Sequence, residues 1–225
     1  MATREFLTAV LQGDVDHVDA ALRADPSLAR LRDEGGVSIV CLAVYRGHEA
    51  VAARLVVQRP DLDVFEASSV GSAAQLARLL EHDASLANAL SPDGFHPLGL
   101  ACFFGRLEAF ELLVARGADV AAPSQNAMRV CALHSAVAHR SDAVALALAR
   151  RLLALGASPN VRQQRGFRPL HEAAQRGHAT LVTVLLEHGA ERDARNDDGD
   201  SAADLARRRA HHAVVRLLDD VVRAG

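Results

Sequence analysis

Short apolar stripes at helical spacing alternate along the chain with breaks marked by glycine. Leu181, Val182, Leu185 and Leu186 fall on one face of a helix, bracketed by Gly177 and Gly189, residues suited to the left-handed turn that ends a helix. The stretch Gly166-Phe-Arg-Pro-Leu-His171-Glu-Ala-Ala-Gln-Arg-Gly177-His178 leads into that stripe, and a glycine recurs at Gly199, 33 residues after Gly166. Upstream, Gly94-Phe-His-Pro-Leu-Gly-Leu-Ala-Cys-Phe-Phe-Gly105 leads to the run Phe110 to Val114 and then to Gly117-Ala118-Asp119-Val120. A third copy runs from Cys131-Ala-Leu-His134 through Leu152-Leu153 to Gly156-Ala157-Ser158-Pro159-Asn160-Val161. In the N-terminal half, Gly13, Asp25 and Gly36 recur 58 residues later as Gly71, Asp83 and Gly94, and Gly36 to His48 reproduces the unit that begins at Gly166.

Each unit reads as helix, tight turn, helix, loop. Pro97 and Pro169 suit the first helical position, whose N–H has no intrahelical partner, and Ser38 and Ser201 are N-cap candidates. Neither helix of a unit can bury its stripe alone, so stacking of neighbours must build the core, with Ala173-Ala174 and Leu100-Ala101 keeping the first helices slim. At these residues the chain resembles the ankyrin-repeat family, whose unit carries Thr-Pro-Leu-His, Ala-Ala, Gly-His, paired leucines and Gly-Ala-Asp-Val-Asn. The resemblance implies an all-α solenoid, a single domain over 1–225. About seven stacked helix-turn-helix units with short loop or hairpin connections fall at approximately 4–33, 36–63, 64–90, 94–122, 129–161, 166–198 and 199–223. The chain departs from the pattern in three places. His96, Cys131 and Arg168 stand where the capping Thr belongs, Arg59-Pro60-Asp61 replaces the Gly-Ala-Asp turn of the second unit, and the fifth unit carries a four-residue insertion, expected to extend its helix turn or second helix.

Composition narrows the chemistry. Of 225 residues half are hydrophobic but only 4 % aromatic, with no Trp and one Tyr, so the core is expected to be aliphatic. Net charge is −3, and every basic residue is Arg; the lack of lysine excludes Schiff-base and P-loop lysines. With Ile39 the single isoleucine, the bias points to GC-rich coding and suggests a bacterial source. The run Ala143 to Ala149 falls short of the roughly 20 apolar residues of a membrane span, and Phe6 to Leu11 is too short and polar-flanked for a signal peptide. A cytoplasmic location, without membrane attachment, is therefore expected. Cys41, Cys102 and Cys131 are odd in number and form no CxxC pair, which indicates core residues rather than a disulfide framework or zinc site.

The polar motifs give little support to catalysis. His171-Glu172-Ala173-Ala174-Gln175 begins like a zinc-protease helix, but Gln175 occupies the place of the second His. In the family the His at positions 134 and 171 tethers adjacent repeats through backbone hydrogen bonds, and His178 sits in the Gly-His turn. His211-His212 has no further ligand at metal-binding spacing. In Asn196-Asp197-Asp198-Gly199-Asp200, a calcium loop would place its first ligand on Ala194 and its last on Leu205. No cofactor is expected. Arginines are scattered, so no nucleic-acid footprint is expected either, and Arg207 to Arg209 reads as the solubilising face of a terminal unit.

What remains is a surface. The resemblance implies a partner protein lying across the concave side, touched by loop tips and by the two residues before each glycine turn. The informative pairs are Tyr45 and Arg46, Phe103 and Phe104, His139 with its neighbour Ala138, and Gln175 and Arg176. Aromatic residues with Arg make up the composition of interface anchors. Tyr45 and Phe103 are expected to pack partly against the neighbouring helix, whereas Phe104, Arg46, His139 and Arg176 are expected to be exposed. Tip candidates are Asp33, Glu34, Ser91, Asp93, Gln125, Asn126, Gln163, Gln164, Arg165, Asp197 and Asp198, with Phe95 and Phe167 close by. The reading is a monomeric, non-catalytic protein-interaction module whose partner offers an acidic or apolar segment. The rival is an enzyme or metal-dependent protein using His134, His171 or His178.

Overall fold

A computed structural model describes residues 2–219. These form seven helix pairs: α1 (Ala2–Gln12) with α2 (Val15–Ala24), α3 (Ile39–Tyr45) with α4 (Glu49–Val57), α5 (Val64–Val70) with α6 (Ala73–His82), α7 (Pro97–Phe103) with α8 (Leu107–Ala115), α9 (Ala132–Val137) with α10 (Asp142–Ala154), α11 (Pro169–Gln175) with α12 (Ala179–Glu187), and α13 (Ala202–Arg208) with α14 (His212–Asp219). Residues 220–223 of the last expected unit lie outside the described residues. No strand occurs among the described residues; the loops contain only isolated antiparallel bridges, Arg32 with Ser38 and Arg195 with Ser201. Each first helix packs on the next, from α1 through α13, so these short helices form one continuous row. The inserted residues of the fifth unit lengthen its second helix: α10 has 13 residues where α8 and α12 have 9.

Side chains near several of the helix starts help such short helices hold. Ser38 Oγ accepts from the Cys41 N–H at 3.2 Å, and Ser201 forms a reciprocal capping box with Asp204. At two of the three places where the capping hydroxyl is replaced, the capping direction reverses. His134 Nδ1 accepts from the Cys131 N–H at 3.3 Å, and His171 Nδ1 accepts from the Arg168 N–H at 3.1 Å. Helix ends turn through glycine at Gly105, with φ 67°, where a Cβ would come within 2.5 Å of His139 Nε2. Any side chain there would both strain the backbone and displace the next unit.

The core is aliphatic apart from Phe6 and Phe110, and it is divided. One cluster runs from Phe6 to Leu55 and the other from Leu62 to Leu218, with Val56 and Val70 packed against both. The seam between them is polar. Arg59, 6 % exposed, donates two hydrogen bonds to the fully buried Glu66 carboxylate, at 2.9 and 3.1 Å, and a third to the Ala29 carbonyl at 3.0 Å. Ser69 is buried nearby in α5 and accepts from the Cys41 thiol of α3 at 3.9 Å. The Arg59-Pro60-Asp61 departure thus places a buried ion pair where other units carry a glycine turn.

Candidate functional site

The first helices that form the continuous row also carry the aromatic residues singled out from the sequence. Tyr45 at the end of α3 stacks on Phe104 just after α7, with ring centroids 5.8 Å apart and planes 9° from parallel. Phe103 meets Phe104 edge-on at 5.1 Å and 88°. Exposure within the pair is the reverse of the expectation: Phe103 is 49 % exposed, while Phe104 is half-buried between Tyr45 and Phe103 and packs on the N-terminal core. Tyr45 is half-buried, as expected, and its phenol is pushed up by burial, then by the nearby Cys41 and Asp93.

These rings wall a groove of about 520 Å³ that continues past Gly99, Leu100, Met128, Val130 and Ser135 to Gln163 and Glu172. Its lining is mostly apolar, and its volume lies within the range of ordinary ligand sites. Sequence reading did not single out Gly99, Met128 or Glu172. Gly99 sits in mid-helix, where His134, His171 and Cys41 stand in the corresponding helices, and the nearest atom to a Cβ built there is Ser135 Oγ at 3.9 Å. The missing side chain leaves the groove open. The signal was present in the glycine within Pro97-Leu98-Gly99-Leu100, a costly residue for a helix interior.

The arginines differ from one another. Arg46 is exposed and makes no ion pair among the described residues. Arg176 is exposed, but its guanidinium donates to the carbonyls of Ala138 and His139 at 3.1 and 3.0 Å, tying one unit to the preceding one. His139 is half-buried against Gly105, its Nδ1 accepting from the Ser141 N–H at 3.1 Å, and Gln175 is half-buried with its carbonyl accepting from His211 at 3.0 Å. Glu172 is half-buried and has no ion-pair partner among the described residues; burial pushes its carboxyl up, against the pull of Arg176 and Arg209.

Neighbouring loop tips are joined through their backbones. The Gln125 N–H donates to Gly94 at 2.8 Å, Gln164 to Met128 at 2.9 Å, and Asp197 to Arg165 at 3.0 Å. Asn126 donates to the Asp93 carbonyl at 2.8 Å, Arg165 pairs with Asp198, and Arg162 pairs with Asp197 at 2.6 Å. Asp33 accepts from the Val37 N–H at 2.9 Å, whereas Glu34 is exposed. Gln163 reaches the groove. Ser91 is buried and caps its own turn by accepting from the Phe95 N–H at 2.8 Å.

The histidines of the rival reading are engaged with the backbone. His171 also donates from Nε2 to the Ala194 carbonyl at 3.0 Å, and His178 accepts from the Leu181 N–H and donates to the Asp142 carbonyl at 3.1 Å. His134 Nε2 has no well-formed hydrogen bond among the described residues, and burial pushes this imidazole down to about 4, against the opposing pull of the Phe167 and Val161 backbone. No group of three or more His, Cys, Asp or Glu able to hold a metal ion occurs among the described residues. No described helix is long and apolar enough to cross a membrane.

A row of short paired helices, tied unit to unit through loop tips and helix ends, defines a helical-repeat solenoid. Residues 93–125 match the family model for the ankyrin repeat and residues 152–206 the model for ankyrin repeats in many copies; the protein is an ankyrin-repeat protein. It is 33 % identical over 133 residues to the tyrosine-protein kinase HTK16 of Hydra vulgaris, a match covering 59 % of this chain and 17 % of the kinase. It is 34 % identical over 99 residues to the E3 ubiquitin-protein ligase KEG of Arabidopsis thaliana, covering 44 % of this chain and 6 % of the ligase. Identity to human protein phosphatase 1 regulatory subunit 27 is 38 % over 76 residues, covering 34 % of this chain and 47 % of that subunit. The chain thus spans less than half the length of each of these relatives. Ankyrin repeats generally mediate protein–protein interaction and are typically non-catalytic.

Proposed function

We propose that the chain, acting as one domain over 1–225 and as a monomer, binds a partner protein across its concave face and catalyses no reaction. The observation that carries this reading is the aromatic groove. A protein with so few aromatic residues places Tyr45, Phe103 and Phe104 together at one surface, with Phe103 half exposed, instead of burying them. Aromatic anchors over a preformed hollow are the composition of interface hot spots, and a surface held by interlocked tips loses little conformational freedom on binding. The match to a phosphatase regulatory subunit, whose name describes a protein acting on another protein, is in keeping with this role. The engagement of His171 and His178 with backbone at both ring nitrogens argues against the rival enzymatic reading.

The test is a pull-down with the Phe104→Ala, Arg46→Ala double variant. Loss of about 2 kcal/mol, or roughly thirtyfold in affinity, is expected for every partner the parent captures, with unchanged circular dichroism. Full recovery of every partner by the folded double variant would overturn the assignment of the face.

A further inference from the structure

The groove does not end at Glu172. A second hollow of about 470 Å³, lined by Asp142, Gln175, Arg176, Arg209 and His211, begins at the same side chain. Glu172 therefore stands at the junction of an apolar track and a polar one. Its carboxylate has no cation within ion-pair distance among the described residues: Arg176 is turned toward the Ala138 and His139 carbonyls, and Arg209, exposed in the second hollow, acts on it only from beyond that distance. A half-buried carboxylate with no partner is costly to leave unmatched, and a ligand cation is the group that would match it. Arg46, the exposed cation at the other end, does not line the groove.

Resting on the concave-face reading above, we propose that the groove takes a short extended segment of a partner protein, in which large apolar side chains are followed by one lysine or arginine that pairs with Glu172. The apolar side chains lie over Gly99 and against Phe103 and Phe104, and the basic one reaches the junction. The open floor at Gly99 is what admits a large side chain there. From α7 through α9 to α11 the track crosses two helix-to-helix steps of about 8–10 Å each, the length of about five or six extended residues. This charge sign departs from the acidic or apolar segment expected from the sequence, because Arg176 is already engaged, Arg209 lies in the second hollow, and among the described residues the one charged side chain lining the apolar groove is Glu172.

A phage-displayed library of random dodecapeptides, selected on the full chain, supplies the probe. Enriched sequences are expected to share apolar residues followed by Lys or Arg. Synthetic copies, measured by fluorescence anisotropy, are expected to bind about tenfold more weakly to Glu172→Gln, and replacing the peptide's own basic residue by Ala is expected to have the same effect without changing the protein. The two changes together should cost little more than either alone. Gly99→Leu, which fills the floor, is expected to abolish binding. An acidic or uncharged consensus, or an unchanged affinity for Glu172→Gln, overturns the charge assignment. If Phe104→Ala and Gly99→Leu still abolish binding in that case, the concave-face reading stands. Binding indifferent to all three variants, or a library that enriches nothing, overturns both. A chain that sediments as a dimer, and as a monomer once Phe104→Ala is introduced, assigns the groove to a second copy and overturns the partner segment.

Discussion

His134 and His171 cap their helices from inside, accepting the backbone N–H three residues upstream, the reciprocal half of a capping box whose hydroxyl half Cys131 and Arg168 cannot supply. For His134 this requires a neutral ring in a buried place, and its depressed basicity has a consequence for acid stability. Between pH 6.5 and about 4 the unfolded chain binds a proton at this residue that the folded chain does not. Folding is therefore fully supported by this group above pH 6.5, and the support falls as pH drops through that window, by about 3 kcal/mol in all. Urea unfolding at pH 7.5 and pH 4.5 should show a smaller acid loss for His134→Gln than for the parent; equal losses would remove His134 as a cause. The glycines make a paired test. Gly99 has ordinary helical backbone and open space around it, so Gly99→Ala is expected to stabilise by about 0.5–1 kcal/mol. Gly105, at positive φ beneath His139, should lose more than about 1 kcal/mol on the same change. Thermal melts of both variants, expected to move in opposite directions, distinguish the two.

Among the helices, the informative break lies between α4 and α5. The buried contacts between units are otherwise mainly apolar, but here a buried charge pair, Arg59 and Glu66, is held beside the Ala29 carbonyl. Removing one member leaves the other charge buried and unmatched, so Arg59→Met is expected to cost about 3–5 kcal/mol, and Arg59→Met with Glu66→Leu considerably less. Because two core clusters meet at this seam, the loss should fall first on the N-terminal units. Hydrogen exchange should show the amides of α1 to α4 losing protection while α7 to α12 keep theirs; uniform loss would show that the seam does not separate cooperative units. The sequence marked this place only as a missing Gly-Ala-Asp turn. An arginine beside a proline in a loop reads as solvated, and nothing local reveals that Glu66, seven residues on, folds back to receive it. The four-residue insertion of the fifth unit, by contrast, was legible from residue spacing, but that it lengthens the second helix rather than the turn was decided by the structure.

Over the whole molecule, units are joined by recurring polar ties. Asn88 bridges to Gly117 and Asp119, and Asn160 makes the same two bonds to Gly189 and Glu191. With the tip-to-tip backbone bonds these make the proposed binding face a preformed surface, which would favour recognition of a flexible segment by a rigid partner. The architecture followed from the chain's periodicity. Glycines at fixed offsets, stripes at helical spacing and slim alanine positions leave stacked helix pairs as the way to bury the apolar residues, since each unit buries its stripe chiefly against the units beside it. The candidate site was legible in part, because aromatic residues are rare enough here that Tyr45, Phe103 and Phe104 stood out. Their exposure, the engagement of Arg176 with backbone, the opening left at Gly99 and the unmatched charge of Glu172 depend on side chains from α3, α7, α9 and α11 meeting in space. Such meetings are set by how units stack, across separations of tens of residues, and local pattern carries no record of which side chain a neighbouring unit will cover.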